Sequence, residues 1–315
     1  MDTYKWLTGL LLVGVAVCVV VLGTLPRPLS AEEALARYQA DFDVGRVTGP
    51  CDADLTVLGS SLFNHVSHAH GDPFSPGLFP EQAQLCGGKF FSGYVLEALS
   101  HIPSPVVRAS WCAQATESWG EMMPHAKDTC FHILGHTLVF APDPTLDAIA
   151  SCERFASDSS ALAECAGGVY MERFDEKHGM SMAHQPAEIR AALAACAKLP
   201  YAMSCAAATG DMASLKDNAL TALPTYSDSA LAAAATRGLM LGWSKAATQA
   251  TRLVQLSDCN TAKNIQACQE GVLLGPLYIM ERAVDPRVEI EGLCKAMPES
   301  AAACVRVLNG SARLF

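Results

Sequence analysis

The chain has no Gly-x-Ser-x-Gly elbow, because Leu58-Gly59-Ser60-Ser61-Leu62 breaks the pattern, and no Gly-x-x-x-x-Gly-Lys loop. Serine catalysis on a nucleophile elbow and P-loop nucleotide hydrolysis therefore have no support. No Cys-x-x-Cys pair occurs either, which argues against a thioredoxin-type redox motif and against c-type haem attachment. Charged residues make up only 17% of the 315 residues, the formal net charge is -10, and Lys and Arg are nowhere clustered. Nucleic acids and anionic lipid surfaces are bound by grouped cations, so no nucleic-acid partner is expected. Apolar and polar residues seldom alternate at period two, which argues against a substantial sheet. Low charge with abundant alanine points instead to closely packed helices.

One segment has no charge at all, running from Trp6 to about Leu25. At about 1.5 Å per residue it reaches about 30 Å, the depth of a bilayer's hydrocarbon core. A cleaved signal peptide carries a shorter apolar core and a small-x-small cleavage site, whereas Gly23-Thr24-Leu25-Pro26 follows here. An uncleaved anchor is the expectation, with Cys18 a membrane-facing thiol. The expected organisation is a short cytoplasmic N-terminus (1–5), a transmembrane anchor (6–26), a juxtamembrane helix and linker (27–50) opened by the capping box Ser30-x-x-Glu33, and an extracytoplasmic helical domain (51–315). Partnership with the membrane runs through the anchor.

Beyond Cys18, twelve cysteines remain, and an even count on an exported chain reads as a disulfide framework formed in an oxidising compartment. Taken in order they pair as Cys51/Cys86, Cys112/Cys130, Cys152/Cys165, Cys196/Cys205, Cys259/Cys268 and Cys294/Cys304, although other connectivities remain open. The second members recur at intervals of 44, 35, 40, 63 and 36 residues. A period near 40 is one helix-turn-helix unit, with an extra helix filling the long interval. Each unit would carry a helix ending near its first cysteine and a second helix opening with the next. The fold class is therefore all-α: a transmembrane helix followed by a solenoid-like domain of α-hairpins, each stapled by a disulfide. Pro103 and Pro105, Pro142 and Pro144, Pro186, Pro224 and Pro286 punctuate the helices, and residues 71–80, with three prolines, form a loop. The second helices share sequence as well: Gly93-Tyr94-Val95-Leu96-Glu97, Gly168-Val169-Tyr170-Met171-Glu172 and Tyr278-Ile279-Met280-Glu281 follow their cysteines. Recurrent glycine there suggests close approach of neighbouring helices or room for a ligand, close packing being the simpler reading.

All nine histidines fall between positions 65 and 184, although the chain continues for 131 residues more. Cys130-Phe131-His132-Ile133-Leu134-Gly135-His136 opens a helix in which the i, i+4 spacing puts His132 and His136 on one face. Two imidazoles so placed can hold one metal ion. Ile133 stands where His-Glu-x-x-His proteases carry their glutamate, so that chemistry is not expected. Glu172 lies at a similar register one repeat later and is the expected third ligand or general base. Glu97, a repeat earlier, could approach from the other side. His65, His68 and His70 end the helix before the long loop and could gate or extend the site, although a solvated helix end is the simpler role. Zinc, copper or iron would suit a His and carboxylate donor set. Cys130 beside His132 could act as a nucleophile, but a bridge to Cys112 is the stronger expectation.

The two segments Cys130-Phe-His-Ile-Leu-Gly-His136 and Cys165-Ala-Gly-Gly-Val-Tyr-Met-Glu172 resemble those of exported or membrane-anchored bacterial proteins that carry Cys-x-His-x-x-Gly-His and Gly-Val-Phe-Met-Glu motifs in this order. The resemblance covers about residues 60 to 175. It implies the location and the helical architecture, and no activity. Two functional classes follow: a metal-binding or metal-dependent protein of the periplasm or cell surface, and a tethered scaffold for a protein or peptide partner in which the histidines are structural.

Overall fold

The computed structural model describes residues 54–68, 71–74, 89–119, 126–139, 147–178, 186–213, 219–245, 247–278, 286–312 and 314. The expected anchor, the juxtamembrane segment, Cys51, His70 and Cys86 lie outside them. Among the described residues there are thirteen α-helices and no strand, as the scarcity of period-two patterning predicts. None of these helices is long and apolar enough to cross a membrane. They are α1 (Asp54–His68), α2 (Lys89–Ser100), α3 (Pro105–Trp119), α4 (Ala126–Val139), α5 (Ala148–Phe155), α6 (Ser159–His178), α7 (Pro186–Cys196), α8 (Ala202–Met212), α9 (Ser229–Lys245), α10 (Gln249–Asp258), α11 (Ile265–Leu274), α12 (Pro286–Ala296) and α13 (Ala301–Leu308).

The breaks follow local chemistry. Pro105, Pro186 and Pro286 each open a helix, where the missing N–H has no intrahelical partner to lose. Asp147 caps α5 by accepting from the backbone N–H groups of Ile149 and Ala150, and Thr248 caps α10 through Thr251.

Two layers result. Helices α1, α2, α4, α6, α8, α9, α11 and α13 pack side by side in chain order, and α3, α5, α7, α10 and α12 lie against that row. Successive members of the row approach backbone to backbone at glycines. Gly59 of α1 faces the Phe90 carbonyl of α2, and Gly238 of α9 faces the Ala207 carbonyl of α8. At α4 and α6 the contact is reciprocal: Gly135 meets Cys165 and Val169, while Gly168 meets His132 and His136. Asp128 meets Ser160, His132 meets Glu164 and His136 meets Glu172, so the two helices run parallel.

Disulfides pin the outer layer to the row. Cys112–Cys130, Cys152–Cys165, Cys196–Cys205, Cys259–Cys268 and Cys294–Cys304 are bonded, with Cα atoms 5.5 to 6.0 Å apart. Cys130 is thus committed to a bridge and is no nucleophile. Each closed loop contributes about 2 to 3 kcal/mol. The staples sit differently from the expected unit: Cys112 and Cys130, like Cys152 and Cys165, lie within their helices and not at the turn between them. A loop of 18 residues is long enough for the staple to join helix flanks. The extra helix in the longest cysteine interval is α9, which has no cysteine and is preceded by a 3₁₀ turn, Ala219–Ala222, in place of a full outer helix.

The core is a continuous apolar seam between the layers. Near α1 to α3 it is aromatic, with Phe90, Phe91, Tyr94 and Trp119 almost wholly buried. Further along it is built of small side chains, Ala206, Ala207 and Ala208 among them. Buried Tyr94 and Tyr170 tie this core to loops, donating to the Pro73 carbonyl at 2.8 Å and to the Pro200 carbonyl at 2.5 Å, and half-buried Tyr226 donates to the Leu193 carbonyl of α7 at 2.7 Å.

Candidate functional site

Helix α4 buries Phe131, Leu134 and Leu138 in the core and leaves His132 and His136 on the flank that faces α6. Gly135 and Gly168 let the two backbones close up at that level, because a Cβ on either would lie 2.1 Å from a carbonyl oxygen of the other helix. Side chains from both helices therefore meet above the crossing. The His132 and His136 rings stand with centroids 4.7 Å apart and planes at 77°, and their Nε2 atoms are 3.1 Å from each other. Nδ1 of His136 is 2.6 Å from a carboxylate oxygen of Glu172, and Nδ1 of His132 is 3.6 Å from one of Glu164. The four groups form a line, Glu164, His132, His136, Glu172, all partly buried.

The electrostatics of this line are unusual. An ionised carboxylate only accepts hydrogen bonds, so Glu172 at 2.6 Å selects the tautomer of His136 that carries its proton on Nδ1, whereas Glu164, 3.6 Å from His132 Nδ1, is a charged neighbour beyond hydrogen-bonding distance. Nε2 of His136 then presents its lone pair toward Nε2 of His132, 3.1 Å away. A neutral His132 that carries its proton on Nε2 satisfies that lone pair by donating to it. With the His132 proton on Nδ1 instead, two lone pairs share the gap, and a proton or a metal cation between them removes their repulsion.

Glu172 reaches His136 as expected from the sequence, but on the ring nitrogen away from His132. It stands beside the nitrogen pair as an orienting group, in the position that carboxylates take behind metal-bound histidines. Glu164 is the second carboxylate of the cluster, 3.6 Å from His132 Nδ1, and was missed by sequence reasoning. Its signal was present: Glu164, Gly168 and Glu172 recur every fourth residue and share one face of α6.

The remaining candidates lie elsewhere. Glu97 accepts from the Asn64 amide at 3.0 Å and pairs with His101 at 3.1 Å, so it does not join the His132 and His136 pair. His65 and His68 are exposed on α1, where His68 Nδ1 is 3.2 Å from the Asn64 carbonyl. His70 falls outside the described residues. Among the described residues no three His, Cys, Asp or Glu side chains converge as a ligand set. A cleft of about 310 Å³, lined by Ala194, Ala202, Tyr226 and Leu231, involves none of these groups.

Other crossings of the row carry polar contacts of a different kind. Glu270 of α11 is buried beneath Arg237 of α9 and Arg306 of α13, at 2.8 and 2.7 Å, and Lys245 pairs with Asp211. Only the α4 and α6 crossing sets two imidazoles between two carboxylates among the described residues. Compared with protein-family models, curated proteins and solved structures, the chain matches none.

Proposed function

We propose that this chain is a membrane-anchored extracytoplasmic protein whose solenoid-like helical repeat holds a transition metal, zinc, copper or iron, on Nε2 of His132 and Nε2 of His136. The observation that carries the reading is the 3.1 Å gap between two nitrogens whose opposite ring atoms face carboxylates. Such an ion would act as a Lewis acid on whatever occupies its open positions. Glu172 holds the His136 ring in register, and Glu164 adds a second negative charge beside His132. The five disulfides support an oxidising compartment, and the uncharged run from Trp6 to Leu25 supports the tether. The likeness to exported proteins with both motifs points the same way.

Metal analysis of the purified full chain tests it. A stoichiometric transition metal that disappears in the His132→Ala/His136→Ala double variant is the expected result. A preparation that stays metal-free after exposure to each of the three metals ends the proposal.

A second reading has its own support: polar contacts bridge the row at Asn64 and Glu97 and at Arg237, Glu270 and Arg306, where no histidine pair exists. In that reading the histidines are one more structural crossing, and the row presents a surface to a protein or peptide partner. It predicts that the double variant loses thermal stability while no metal is bound before or after.

A further inference from the structure

Geometry and charge at the α4 and α6 crossing narrow the kind of ion the site can take, given the metal-binding reading above. The nitrogens are 3.1 Å apart. An ion bonded to both at about 2.05 Å would see them at an angle of about 100°, between the square and the tetrahedral values. A linear two-coordinate ion would need nitrogens about 4 Å apart, twice the bond length. Opening the pair that far requires rotating at least one ring away from its carboxylate, and the 2.6 Å contact between His136 and Glu172 opposes this. The backbone does not absorb the change, because both histidines stand on α4, four residues apart at the fixed rise of a helix.

Charge gives an independent constraint. Two carboxylates back the two rings, so neutral imidazoles leave the cluster with a charge of two negatives. A single proton offsets half of that, as does a monovalent ion. A divalent ion offsets all of it in a place where the four side chains are mostly withdrawn from water, and where residual charge is least screened.

We infer that the site is a two-histidine chelate for a divalent ion, with the nitrogens in adjacent coordination positions and the others open, and that it discriminates against the linear monovalent ions Cu(I) and Ag(I). Among divalent ions the ordinary order of stability places Cu(II) above Zn(II). The open positions make bound metal exchangeable and accessible to chelators. Glu172 contributes through the tautomer of His136 and Glu164 through its charge beside His132, neither as a ligand.

The test uses the full chain in detergent, titrated separately with Cu(II), Zn(II) and Ag(I). Expected are one Cu(II) per chain with an electron paramagnetic resonance spectrum showing two nitrogen ligands, displacement of bound Zn(II) by Cu(II), and loss of saturable binding in His132→Ala and in His136→Gln. Circular dichroism of each variant confirms that the fold persists. Nitrogen NMR of the Zn(II) form is expected to show both rings protonated at Nδ1 and coordinated through Nε2. Ag(I) bound by both histidines more tightly than Zn(II), or coordination through Nδ1, overturns the divalent assignment while leaving metal binding in place. Failure of all three ions to bind removes the metal-binding reading itself, and this inference with it.

Discussion

A β-carbon placed on Gly168 would stand 2.1 Å from the carbonyl oxygen of His132, so the residue that lets α6 close on α4 touches the backbone of the histidine it helps to position. Packing and chemistry are one arrangement here. The glycine is required by space, since its contact is a backbone atom that no rotamer change can move aside.

Gly168→Ala is therefore expected to push the helices apart and to lower stability by about 1 to 3 kcal/mol, the usual consequence of overpacking. Thermal denaturation reads the first effect. Metal titration reads the second, because the rings move away from Glu164 and Glu172. A variant with unchanged melting and unchanged metal affinity would show that the crossing tolerates a methyl group, contrary to the close approach described.

Removing the Glu172 carboxylate with Glu172→Ala leaves both candidate ligands in place. Loss of an orienting carboxylate typically lowers metal affinity about 10- to 100-fold. Calorimetric titration with Zn(II) is the measurement. Binding abolished outright would make Glu172 a ligand, and binding unaffected would dismiss its orienting role.

The Cys196–Cys205 bridge joins the end of α7 to α8 and closes a separation of nine residues. Replacing both with serine is expected to cost about 2 to 3 kcal/mol in denaturant unfolding. Peptide mapping of the unreduced protein is expected to recover the five bonded pairs. Shuffled pairs would contradict the two-layer arrangement directly.

Burial pushes the Tyr226 phenol up to about 12. In the unfolded chain it would ionise near about 10. The folded value is the higher one, so the stabilisation linked to this proton is complete below about pH 10 and is lost as pH rises through about 12. Alkaline difference absorbance of the folded protein should show a late step near pH 12 that is lost in Tyr226→Phe, while Tyr94, pushed higher still by its burial and by Asp72, ionises later in both proteins. That variant also gives up the hydrogen bond to Leu193 and is expected to melt earlier.

Much of this was legible in the residue order, and the reason is range. Disulfides that close short loops and histidines four apart on a helix are local relations, fixed by a 1.5 Å rise and a period of about 3.6 residues. Cys152/Cys165, Cys196/Cys205 and their counterparts, the all-helical class, the extra helix between Cys205 and Cys268 and the shared face of His132 and His136 follow from them. Which carboxylate meets which imidazole is a different matter. It depends on how two helices slide and turn against each other, and that register is set by the mutual fit of Gly135 and Gly168, to which spacing along either helix is indifferent. Tertiary packing therefore decided that Glu164 stands behind His132, that Glu172 takes the far nitrogen of His136, and that Glu97 is held by Asn64 and His101. Periodicity names the face of each helix, and only the approach of two backbones determines what that face meets.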